Sequence, residues 1–112
     1  MIRKVEDQQT ISRTPGKVLY TLAEPEEMYN VSRMYARISL APGTQVDYHV
    51  HENDMESFYV AKGICRVDDN GEIGYMKEGD ILITPHGCGH AVYNESDETV
   101  ELIASIINIP QE

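Results

Sequence analysis

Three side chains of metal-ligating type, His49, His51 and Glu56, fall within eight consecutive positions. The surrounding stretch runs Gly43, five residues, His49, one residue, His51, four residues, Glu56, six residues, Gly63. The two histidines stand among β-formers (Val46, Tyr48, Val50). On a strand, residues i and i+2 point to the same face. The imidazoles therefore emerge together, with Cα atoms roughly 7 Å apart by the strand rise, a span that suits two ligands converging on one ion. Glu52-Asn53-Asp54-Met55 reads as a turn and Glu56 as the opening of the next strand, so that a hairpin returns its carboxylate to the side of the imidazoles. Two histidines and a carboxylate around an ion with open positions is a recurring first-row metal site. The competing reading of this stretch alone is a solvated His-X-His pair beside one of many carboxylates.

The elements that must position these groups are short strands. Residues 1–16 form a polar, extended arm stopped by Thr14-Pro15-Gly16, and Lys17 to Leu22 a first strand. Glu24-Pro25-Glu26-Glu27 begins one helical turn, with Pro near its start. From Arg33 to Leu40 the chain alternates, with Met34, Ala36, Ile38 and Leu40 on one face and Arg33, Tyr35, Arg37 and Ser39 on the other, the pattern of a half-buried strand. Strand composition recurs at 47–50, 57–61, 64–68, 72–76, 81–84, 90–93 and 100–107, punctuated by Ala41-Pro42-Gly43, Glu78-Gly79-Asp80 and Pro85-His86-Gly87-Cys88-Gly89. Asp69-Asn70-Gly71 is a hairpin signal, because Asn-Gly tolerates positive φ. No long segment carries a 3.6-residue period, so the chain is all-β, a sandwich or barrel.

With 112 residues the chain makes one domain. Nine Lys and Arg against 19 Asp and Glu give a net charge of −10. That balance leaves no basic footprint for nucleic acid and disfavours anionic membrane surfaces. No apolar run reaches transmembrane length, and Met1-Ile-Arg-Lys-Val-Glu-Asp lacks the apolar core of a signal peptide. Two cysteines, Cys65 and Cys88, are too few for a disulfide scaffold. Cys65, in an apolar strand pattern, reads as a buried thiol. The expected setting is a reduced cytoplasm.

A second spaced set runs Gly79, five residues, Pro85, one residue, Gly87, two residues, His90, three residues, Asn94. Together with the first it resembles the two motifs of the cupin family, and all ten fixed positions are present. The motifs and the segment between them cover residues 43–94. The likeness is greatest to small single-domain bacterial cupins of the oxalate-decarboxylase-like kind. The resemblance implies a single-domain cupin-type jelly-roll β-barrel, with an N-terminal arm and strand over 1–32 and the barrel over 33–112. It also implies one divalent transition metal (Zn, Ni, Fe, Mn or Co) held by His49, His51, Glu56 and His90. Three imidazoles and a carboxylate leave an octahedral ion open to water, substrate or dioxygen, the form of a catalytic rather than a closed structural site.

Other residues divide between two readings. Phe58 and Val60 share the strand parity of Glu56, and so line the cavity or pack the core. Arg37 and Tyr35 lie on a polar strand face; an inward Arg37 clamps a carboxylate, an outward one is solvated. His86 is an exposed turn residue and Cys88 an inert turn cysteine. Asn94 closes a turn by bonding backbone. The expected activity is that of a metal-dependent enzyme on a small polar or carboxylate-bearing molecule, by decarboxylation, oxygenation or isomerisation; a non-catalytic ligand-binding or sensor protein is the alternative. A small-molecule ligand and a homodimer are the expected partners, the dimer because Ile106, Ile107 and Ile109 place apolar groups on both faces of the last strand.

Overall fold

Alternation of apolar and polar residues sets the architecture. A computed structural model of the chain describes residues 1–110. Within them lie ten strands: β1 (Thr10–Thr14), β2 (Lys17–Ala23), β3 (Ser32–Leu40), β4 (Gln45–Val50), β5 (Asp54–Lys62), β6 (Cys65–Asp69), β7 (Glu72–Met76), β8 (Ile81–Thr84), β9 (Gly89–Tyr93) and β10 (Val100–Asn108). Their pairings are antiparallel and build a six-stranded sheet, β1-β2-β3-β10-β5-β8, and a four-stranded sheet, β4-β9-β6-β7.

The two sheets face each other as a jelly-roll sandwich. Among the described residues no ladder joins them at an edge, so the expected barrel is two open sheets. The segments at 41–44 and 51–53 carry the chain across from one sheet to the other. Strands β4 and β5 consequently belong to different sheets, which corrects the expected hairpin: the carboxylate of Glu56 meets the histidines across the sandwich, not beside them. Strand β5 also starts earlier than expected, at Asp54, because Asp54 and Met55 pair with Asn108 and Ile107 of β10.

The expected N-terminal arm folds as well. Strand β1 pairs with β2 around the Pro15-Gly16 turn, and β2 pairs with β3, so all three belong to one sheet. A 3₁₀ turn at Pro25–Met28 follows Pro25, as the sequence implies, with a reciprocal Glu24–Glu27 cap. Asn70 and Gly71 form the β6–β7 hairpin turn with φ of 50° and 97°, the positive values that Asn-Gly accommodates. The last two residues of the segment expected to run to 112 lie outside the described residues.

Inward residues of both sheets form one core. Leu40, Val100, Leu102, Val60 and Phe58 of the larger sheet are at most 1% exposed and pack against Val67, Val92, Cys65 and Met76 of the smaller one. Burying each Val, Leu or Phe contributes about 1.5–3 kcal/mol. Among the described residues, no helix is long and apolar enough to cross a membrane.

Candidate metal centre

Each of the four expected ligands reaches the site by a different backbone device. His49 and His90 are directly opposed on β4 and β9. Between Val46 and His49 the ladder carries a bulge, since Val46 pairs with Val92 and His49 with His90. Two residues, Asp47 and Tyr48, thus oppose Ala91 alone, and the bulge turns Val46 and His49, three apart, to the same inner face. His51 lies just past β4. Its N–H donates to the Cys88 carbonyl at 3.0 Å and its own carbonyl accepts from Gly87 N–H at 2.7 Å, which fastens it to the 85–88 turn. Glu56 projects inward from β5. Gly89 passes so close to Tyr48 that a Cβ there would overlap the phenol, so a larger residue at the start of β9 would displace the Tyr48 ring.

The ligand atoms converge. His49 Nε2 lies 3.1 Å from both His51 Nε2 and His90 Nε2, and the last two are 3.3 Å apart. Glu56 Oε1 stands 2.9 Å from the Nε2 atoms of His51 and His90 and 3.6 Å from that of His49. The other ring nitrogens fix the tautomers. His49 Nδ1 lies 2.8 Å from the Asp47 carbonyl, which only accepts, so Nδ1 holds the proton. His51 Nδ1 lies 2.7 Å from Asp54 Oδ1. Burial pushes the Asp54 carboxyl up, but hydrogen bonds from Arg33 and His51 together outweigh it and hold it below its ordinary value. Asp54 is therefore an ionised acceptor, and His51 Nδ1–H donates to it. Thr84 Oγ1 holds His90 Nδ1 at 2.7 Å, and Phe58 stacks on the His90 ring at 4.6 Å between centroids.

At least two imidazole lone pairs and a carboxylate oxygen thus point at one small volume, an arrangement that repels itself unless a cation sits there. Ligands on bonds of about 2.1 Å lie about 3.0 Å apart when cis on an octahedral ion and about 3.4 Å apart on a tetrahedral one. The observed separations bracket both values, so the donor set fits a divalent ion. His51, Glu56 and His90 are at most 2% exposed, whereas the His49 side chain is 43% exposed. The site is open on the His49 side.

A cavity of about 220 Å³ adjoins it, walled by His49, His51, Glu56, Lys17, Arg33 and the apolar Leu19, Met34, Ile38, Val46, Phe58 and Ile106. A larger surface groove of about 510 Å³, between Gly63, Lys77 and Asp97, gathers no histidine or cysteine.

Of the four expected cavity residues, only Phe58 lines this wall. Val60, with the same parity, sits farther along β5 in the apolar core and is fully buried. Arg37 lies on the outer face of its sheet, over the Tyr20 ring at 4.2 Å and bonded to Glu101 at 3.2 Å. Tyr35 shares that outer face and is 39% exposed. Both take the outward alternative, Tyr35 solvated and Arg37 half-buried against its neighbours, because regular alternation along this part of β3 keeps odd residues outward. His86 is exposed and accepts the Asn53 N–H. Asn94 donates to the carbonyls of Leu40 and Glu98 and accepts from Ser96, a structural closure.

Sequence reasoning missed Asp54, Thr84, Lys17 and Arg33. Asp54 was findable: two residues before Glu56 on a strand, it shares the ligand's face. Arg33 was not, since its position depends on a bulge.

The comparisons with known proteins agree with this geometry. The profile of the cupin domain family matches residues 36–106. The oxalate-binding protein of Thermotoga maritima is 36% identical over 86 residues, 77% of this chain and 71% of the relative. A solved structure described as a predicted oxalate decarboxylase, also from Thermotoga maritima, superposes with a TM-score of 0.88 at 30% identity, over 97% of this chain and 100% of the other. An RmlC-like cupin from Shewanella frigidimarina reaches 0.79 at 19% identity over 97% and 91% of the two chains, a likeness of fold alone.

Proposed function

Because this chain belongs to the cupin family, we propose that it is a metal-dependent cupin acting on a small polar or carboxylate-bearing molecule. One divalent transition ion (Zn, Ni, Fe, Mn or Co) is held by His49, His51, Glu56 and His90. The observation that carries this reading is the convergence of three imidazole Nε2 atoms and one carboxylate oxygen at a single point. When bound, the ion supplies Lewis acidity that stabilises negative charge on a substrate oxygen, which suits decarboxylation, oxygenation or isomerisation. The protein's own part is placement. Asp54 and Thr84 fix the rings of His51 and His90 through their Nδ1 atoms, Phe58 and Ile106 shield the inner side from water, and the exposed edge at His49 admits the ligand.

A non-catalytic binding role is the second reading, favoured by the name of the 36% identical relative, an oxalate-binding protein. Elemental analysis of wild type and a His49→Ala/His51→Ala variant tests the metal: about one ion per chain is expected in the first and none in the second, and equal contents overturn the site. Turnover of a panel of carboxylates, β-diketones and sugar phosphates by the metal-loaded protein then supports the enzyme, while a metal-dependent rise in Tm with no turnover supports the binder.

A homodimer belongs to the same reading. Tyr35, Tyr59, Ile81, Ile83 and Ile107 are exposed on the outer face of the six-stranded sheet, an apolar set of the kind that marks association. Light scattering that finds a monomer at micromolar concentration sinks it. The two free thiols, Cys65 and Cys88, support a reducing, cytoplasmic setting, which fractionation of the expressing cell checks.

A further inference from the structure

We infer that the cavity beside the histidines selects a ligand with an apolar carbon body and a second anionic group, and that Lys17 and Arg33 are the residues that choose it. This rests on the reading of the site as a ligand pocket next to a bound ion, and goes beyond it by naming the class of ligand.

Charge is the first observation. The sequence holds nine cationic residues against 19 carboxylates, whereas the cavity wall holds two cations and one carboxylate, with Asp54 paired to Arg33 behind it as a second. The carboxylate on the wall, Glu56, is taken up by the imidazoles. Cations and carboxylates are thus balanced around the cavity in a chain where carboxylates outnumber cations, and the Lys17 charge is left to draw an anion.

Backbone geometry is the second. Ser32 pairs with Ile107 and Met34 with Ile106, so Arg33 is the extra residue of a β-bulge. In a regular ladder it would share the outer face with Tyr35 and Arg37. The bulge re-aims it, so that it lines the cavity and its Nε reaches Asp54 Oδ2 at 2.8 Å. Only Nε is so engaged; the two terminal nitrogens make no bond to another described residue. Lys17 alternates with Leu19 along β2, and both line the cavity. Its ammonium has no ion-pair or hydrogen-bond partner among the described residues. Inward charges often protect an edge strand from pairing, but β2 lies between β1 and β3 and needs no such protection. The two cations stand at opposite ends of the β2–β3 pairing, Lys17 opposite Leu40 and Arg33 beyond the Ala23–Tyr35 pair, and the unpaired ammonium and the unengaged guanidinium fork each match a carboxylate.

The third observation is apolar. Leu19, Met34, Ile38, Val46, Phe58 and Ile106 face about 220 Å³ of space. Oxalate has no carbon outside its two carboxylates and gains nothing from such a wall. A ligand with several methylene groups gains about 0.8 kcal/mol for each one buried.

The test titrates full-length, zinc-loaded protein by calorimetry with adipate, hexanoate and oxalate, after metal content and circular dichroism have been measured for each variant. Adipate is expected to bind at least tenfold more tightly than hexanoate, in keeping with one charge-assisted contact, and more tightly than oxalate. Lys17→Met, which keeps the stem and removes the charge, is expected to erase the preference for adipate over hexanoate while leaving zinc content unchanged. Lys17→Arg is expected to keep it. Arg33→Gln is expected to reduce it, with zinc content read separately because Arg33 also holds Asp54. Zinc-loaded wild type that binds adipate no better than hexanoate, or a Lys17→Met protein that retains the preference, overturns the inference. Wild type that takes up no zinc sinks the metal reading instead, and the adipate-to-hexanoate ratio on that metal-free protein still decides this one.

Discussion

Strand β5 offers two kinds of interior on one face. Its inward residues, read backwards from the core, are Val60, Phe58, Glu56 and Asp54, all at most 5% exposed. Opposite them on β10, Val60 meets Leu102, Phe58 meets Ala104 and Glu56 meets Ile106. Within about 20 Å of strand, the same sheet face changes from hydrocarbon to carboxylate. The two halves are held by different physics. At the Val60 end, contact is non-directional and any group of the right volume serves. At the Asp54 end, each buried polar atom needs a particular partner at a particular distance, and among the described residues no buried side-chain nitrogen or oxygen lacks one. Two carboxylates follow each other along a buried strand face because Asp54 is tied to Arg33 and His51, and Glu56 to the imidazoles. Stability and function are therefore separable along a single strand.

The sharpest break in that comparison is Leu102→Ala. Leu102 is fully buried between Ile38 and Val60, and truncation is expected to cost about 2–5 kcal/mol of stability. Zinc affinity of the protein that remains folded should be unchanged, because the ladder partners of Leu102 are Ile38 and Val60 and neither is a ligand or bonded to one. Denaturant unfolding and chelator competition measure the two quantities, and a matching fall in zinc affinity would show that the halves are coupled.

Asp54→Asn tests the other half. Asn keeps the shape but weakens acceptance from His51 Nδ1–H and loses the ion pair with Arg33. Metal affinity is expected to fall about 10–100-fold, the usual effect of removing a group that orients a ligating histidine. Chelator competition reads it, and unaltered affinity would mean that the His51 ring is held by packing alone.

How legible each half was in the sequence follows from the same contrast. Alternation in β3 and the Asn-Gly turn announce themselves locally, so the all-β class and most strand positions could be read directly. His90 could be placed with His49 and His51 only through its likeness to a family motif, since periodicity says nothing about which strands face each other, and Glu56 was placed there by a hairpin that does not form. The expected hairpin between His51 and Glu56 failed for that reason: a short turn-like segment can link neighbours in a sheet or cross between sheets, and only the global register decides. The bulges at Asp47-Tyr48 and Arg33 were invisible, because a bulge arises from a mismatch between two strands distant in sequence. They are also what brings His49 and Arg33 to the cavity wall.

The smallest expected effect compares two thiols, one in each half. Cys65 starts β6 in the apolar end and is 2% exposed, whereas Cys88 lies half-buried in the turn that fastens His51. Burial, with the negative charge of Asp80 adding to it, pushes the Cys65 thiol up to about 11 from an ordinary 9.0. The thiolate is the nucleophile, so at pH 8 Cys65 offers almost none. Labelling of native protein with a disulfide reagent is expected to give one fast thiol, Cys88, and a second only on unfolding, with a Cys88→Ser variant losing the fast phase. The sign of the linkage follows. Between pH 9.0 and about 11 the folded chain keeps a proton that the unfolded chain gives up, so this contribution to stability is complete below pH 9 and lost as pH rises towards 11. Cys65→Ala should flatten that alkaline decline relative to wild type. Two equally fast thiols in the native protein would show that the apolar end opens as readily as the site.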